Sequence, residues 1–212
     1  MRQPYSSDPF FDESDMTALS LLSFSDESLT SLHSEMKDKL NAAALVENKL
    51  EPRYAATIEE KDKTVEEIDE MGKKIVTYVE NIGAEDKFEK SMVSMKLEIT
   101  SIQLSAHIKV MEMIVSILKE VQFELNAIIR EQKSLRARAF HNVEMCKRMD
   151  LSETVIKDFE EQVSWVESLC GISGQNAVEL RSSFDDVMNQ LELARDFKRY
   201  LEKLISDHFD NY

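Results

Sequence analysis

The chain has 212 residues, of which 32% are charged, and a formal net charge of −15. That acidity argues against non-specific nucleic-acid binding, which draws its affinity from Lys and Arg on phosphates, and against attraction to anionic membrane surfaces. There are only four glycines and three prolines, and no proline follows Pro52, so long uninterrupted helices are expected from Arg53 onward.

In chain order, residues 1–33 read as a disordered, acidic, Ser-rich arm. Pro4, Pro9 and the Phe10–Phe11 pair lie among Ser and Asp with no helical period. Residues 3–36 contain no Lys or Arg, so the N-terminus is not expected to be a signal peptide. Ser23, with Asp26 three residues on, is the candidate phosphosite. Added charge there is expected to switch docking onto a basic surface.

Residues 34–82 are expected to form N-terminal helices, the first ended by Pro52 because proline disfavours α geometry in the residue before it. Beyond it, Ile58, Val65, Ile68, Ile75, Val79 and Ile82 mark a seam stepped by three and four, with Lys61 and Gly72 at two further seam positions. That 3.5-residue period is the pattern of a coiled coil. Gly83 is the expected helix stop.

Residues 84–149 are predicted as one long central helix. Its seam begins as Phe88, Met92, Met95, Ile99 and Ile102 and then broadens, with thirteen large apolar residues among the 22 from Ile108 to Ile129. A face this wide is expected to be covered by three or more helices, from this chain folding back or from partners. Lys109, Glu112, Lys119, Glu120 and Glu124 argue against a membrane span there.

Residues 150–212 are expected to form a C-terminal helical hairpin. Asp150 or Ser152 is the candidate N-cap, and Gly171-Ile-Ser-Gly174 the expected break between two helices. No useful strand alternation occurs. The expected fold class is all-α: an elongated coiled-coil or helical-bundle protein.

Catalytic chemistry needs convergent polar groups, and the residues do not supply them in pattern. His33, His107, His141 and His208 are scattered, with no HxxxH pair, and the carboxylates recur as solvated helix faces. Residues 171–174 lack the lysine of a phosphate loop. Cys146 and Cys170 form no zinc or CxxC pattern and fit a reducing compartment. No catalytic, cofactor or metal residue is expected, and no small-molecule substrate. The residues expected to bind partners by helix packing are Ile68, Ile75, Val79, Ile99, Met111, Ile114, Leu118, Leu125, Phe184 and Leu191. Arg130, Lys133, Arg136 and Arg138 form a candidate basic patch, and several methionines fall within the apolar stripes.

The acidic arm, the long proline-free heptad helices and the stretch REQKSLRAR at 130–138 resemble small coiled-coil subunits of chromosome and spindle machinery, of the synaptonemal-complex, kinetochore-linker and augmin types. The resemblance implies a structural subunit of a hetero-oligomeric coiled-coil complex, nuclear on meiotic or mitotic chromosomes or cytoplasmic on the spindle. A peripheral adaptor of a membrane-trafficking or tethering complex is the alternative expectation.

Overall fold

The computed structural model describes residues 26–80 and 87–209. Three helices account for nearly all of them: α1 (Asp26–Glu80), α2 (Lys87–Arg148) and α3 (Glu153–Phe209). At 1.5 Å rise per residue, their 55, 62 and 57 residues make rods of roughly 80–95 Å.

Cross-helix pairs give the topology. From α1 to α2, Glu35 meets Arg138, Arg53 meets Glu120 and Glu124, and Glu67 meets His107, so the two helices run antiparallel. From α2 to α3, Glu112 meets Arg195, Arg136 meets Glu167 and Lys147 meets Glu160, again antiparallel. Partners on α1 and α3 stay 125 to 129 residues apart along the chain, so these helices are parallel. The chain is an up-down-up three-helix bundle.

The core runs the length of the rod. It starts beside the α2–α3 turn with Leu29, Val143, Cys146 and Phe159. Met36, Leu40, Leu135 and Val166 follow. The large central section is built on Met111, Ile114, Leu118, Leu125, Leu180 and Leu191. Ile75, Val93, Leu97 and Leu201 close the other end. Along α2 the inward residues Val93, Leu97, Thr100 and Leu104 step by four and three, the spacing that keeps one stripe facing its neighbours.

Several expectations from sequence are corrected here. Pro52 does not end a helix, because α1 continues through it. A proline inside a helix costs about 3 kcal/mol through the lost hydrogen bond and the ring clash. Anchors on both sides offset that cost: buried Leu50 before it and, after it, Tyr54, whose hydroxyl shares a 2.7 Å hydrogen bond with Ser183 of α3. Arg53 adds ion pairs to Glu120 at 2.6 Å and Glu124 at 2.9 Å.

Gly171 and Gly174 do not break α3 either, so among the described residues the expected C-terminal hairpin of 150–212 is one continuous helix, Glu153–Phe209. Each glycine costs up to about 1 kcal/mol against alanine, less than the roughly 1.5–3 kcal/mol from burying each of Leu169 and Leu180 beside them. The arm expected over 1–33 is shorter by its last eight residues, since α1 begins at Asp26; the remainder of the arm, with Ser23, lies outside the described residues, as do Ile82 and Gly83.

The α2–α3 turn settles the capping alternatives. Leu151 N–H donates to Cys146 C=O at 3.2 Å and Asp150 N–H to Lys147 C=O at 3.2 Å, which closes α2 in a Schellman motif. Asp150 holds the left-handed position with φ 52°. Ser152 is the N-cap of α3, its carbonyl accepting the first helical bond from Ile156 at 3.1 Å.

Candidate helix-docking surface

The residues expected to bind partners divide sharply. Met111, Ile114, Leu118, Leu125 and Leu191 are buried in the central core, with Ile68 and Phe184 packed against it. Ile75 is buried in the end cluster, and Val79 packs on it. The wide apolar face at 108–129 is therefore covered by the chain's own α1 and α3, and these residues are not free to meet another molecule. Only Ile99 of the ten stays open, 48% exposed.

Ile99 belongs to a second stripe on the same helix. Met92, Met95, Ile99 and Ile102 are exposed, the last at 69%, and Ala106 continues the line. Their spacing is three, four, three and four, a heptad seam in its own right. By helical geometry it lies roughly 150° around α2 from the inward stripe Val93–Leu97–Thr100–Leu104. The first half of α2 thus carries two seams, one packed inside the bundle and one facing outward. Residues beside the outward seam include Glu89, Lys96, Glu98 and Gln103, a polar margin of mixed charge. Lys96 is held with its ammonium 5.5 Å from the Tyr78 ring centroid, which anchors the margin to α1.

The double seam explains an otherwise odd property. A stretch of α2 is apolar enough, at mean hydropathy 1.3, to cross a membrane by length and composition alone. Leu104, Ile108, Met111, Ile114 and Leu118 supply the inward part of that apolarity and pack in the core; Ile102 and Met113 add to it from the outward side.

The basic patch is partly consumed by the bundle. Arg136 donates to Glu167 at 3.1 Å and stacks 5.5 Å from the Phe140 ring, and Arg138 donates to Glu35 at 3.3 Å. Arg130 and Lys133 are exposed. Both cysteines are free thiols; burial pushes the pKa of Cys146, and of the half-buried Cys170, upward, away from thiolate reactivity. Among the described residues no three His, Cys, Asp or Glu side chains are placed to share a metal ion.

No protein-family model matches the chain, and no curated protein sequence matches it either. Among solved structures it is similar to a computationally designed three-helix bundle at 18% identity, over 87% of this chain and 90% of that one, with a TM-score of 0.35.

Proposed function

We propose that this chain is a non-catalytic, rod-shaped subunit of a larger helical assembly, and that it binds a partner's helix along the outward seam of α2. The exposed heptad line Met92–Met95–Ile99–Ile102 supports this reading. The fold already satisfies its core through the opposite stripe, so these side chains contribute nothing evident to the bundle. Covering each half-exposed side chain is worth on the order of 1 kcal/mol, and the 3.5-residue spacing selects a helix as the covering element. The partner is another coiled-coil protein, and the assembly a hetero-oligomer. A location on chromosomes or the spindle is part of the proposal, and the layout resemblance supports it; a vesicular signal from a tagged chain would move it to a tethering complex instead.

Photo-cross-linking tests the docking mode. A cross-linking side chain at position 95 or 102 in cells should capture another polypeptide at apolar heptad positions, while one at the exposed Asp158 on α3 should not. Equal capture from all three positions would contradict the proposal.

A further inference from the structure

The α1–α3 side of the rod is open over part of its length. A groove of about 550 Å³ runs between these helices, floored by Leu50, Tyr54, Ile58, Leu180 and, from α2 beneath, Val121 and Leu125. Further along the same side, a second hollow of about 200 Å³ lies over Val65, Ile68, Gly72 and Phe197. Lys61 bridges to Asp186 at 2.9 Å between the two. From Glu47 to Gly72 the open side follows α1 for roughly 38 Å. Pro52 lies within α1 between Glu51 and Tyr54, which line the first hollow.

The charged residues lining the two hollows are all acidic, and Lys61 between them is taken up by Asp62 and Asp186. Glu51, Glu59, Asp62 and Glu179 line the first hollow and Asp69 the second, and no Lys or Arg lines either. Glu51 and Glu59 are exposed and form no ion pair among the described residues. From these observations we infer that the α1–α3 groove seats a basic amphipathic helix of a separate polypeptide, which locally converts the three-helix rod into a four-helix bundle. Its apolar face fills the hollows, and its Lys and Arg residues meet the carboxylate rim, a desolvated setting that favours charge complementarity. The chain's own residues 1–25 are poor occupants, with Asp8, Asp12, Glu13 and Asp15 against Arg2 alone. A second copy is disfavoured by repulsion between chains of net charge −15.

The test uses the full chain and three labelled synthetic peptides of about five helical turns: one with leucines at heptad spacing and Lys/Arg flanks, one with the same leucines and Glu flanks, and a scramble of the first. In fluorescence anisotropy at physiological salt the cationic amphipathic peptide should bind at least about tenfold tighter than either control. Glu51→Lys combined with Glu59→Lys, at exposed sites that leave thermal melting unchanged, should weaken that binding about tenfold or more. Reversal of the exposed Asp158 and Glu161, near the start of α3, should weaken it less than about twofold. Met95→Glu with Ile102→Glu should leave it intact, which separates this groove from the α2 seam. Equal binding of peptide and scramble, equal loss from the remote reversal, or no binding would overturn the inference.

Discussion

The Glu47 carboxylate, 6% exposed, accepts a 2.6 Å hydrogen bond from the hydroxyl of Ser173 across the α1–α3 interface. Asn176 and Gln132 donate to the same carboxylate at 3.4 Å, so one acid ties all three helices together. The layer interrupts the apolar core beside Leu50 and Leu169 and penalises any slip of one helix against the others, because a shifted register strands a buried charge. Ser173→Ala should cost about 1–3 kcal/mol by leaving Glu47 with weaker donors. Urea unfolding followed by circular dichroism should show a lower midpoint at unchanged slope. An unchanged midpoint would mean that the layer carries no stability.

Pro52→Ala should stabilise the chain by up to about 3 kcal/mol, since the proline lies inside a continuous helix. Gly171→Ala and Gly174→Ala should each add about 0.5–1 kcal/mol, because both sites are helical and an added methyl meets nothing within 4 Å. Thermal melting reads all three. A loss of stability at either glycine would restore the expected break in α3.

Asp150 holds a left-handed backbone at φ 52° with its N–H committed to the cap. Asp150→Gly should leave stability equal or higher, whereas Asp150→Val should cost about 1–2 kcal/mol through its β-branch. Equal melting temperatures for the two variants would contradict the cap geometry.

The Lys61 ammonium is hydrogen-bonded by Asp62 and by Asp186, which together raise its pKa above the ordinary 10.5 against the opposing effect of burial. The folded form therefore holds this proton more tightly than the unfolded chain does. Its contribution is complete below pH 10.5 and drains away as pH rises through the folded value. Both carboxylates are about half exposed or more, so the effect should stay under about 1 kcal/mol. Lys61→Met should flatten the alkaline limb of stability against pH; an unchanged limb would assign it to other groups.

The all-helical class and the long central helix were legible in the residues, because proline-free heptads admit little else. The choice between two seams on α2 was not. Phe88–Met92–Met95–Ile99–Ile102 is the more conspicuous apolar line, yet the bundle packs Val93–Leu97–Thr100–Leu104 instead. The buried line contains a threonine, whose hydroxyl satisfies itself on Lys96 C=O at 2.7 Å, so its polarity is locally cancelled. Thr57 and Thr64 do the same on α1, bonding Arg53 C=O and Glu60 C=O at 2.8 and 2.7 Å. Reading threonine as apolar at heptad spacing would have exposed both stripes. Continuity through Pro52, Gly171 and Gly174 depends on packing against other helices, which local propensity does not contain. Glu47 and Ser173 gave no local signal at all, because their partnership exists only once α1 and α3 are parallel and in register.

α2 uses one apolar stripe for its own fold and leaves the other exposed, where we propose a partner docks. Equilibrium urea unfolding of the isolated chain with Ile114→Glu and, separately, Ile102→Glu tests it most directly. Ile114 is 2% exposed and Ile102 is 69% exposed. Ile114→Glu should cost more than about 4 kcal/mol or abolish folding by burying an unpaired charge. Ile102→Glu should stay within about 0.5 kcal/mol of the parent. Comparable losses from the two variants, or a larger one at Ile102, would contradict the assignment of inward and outward stripes.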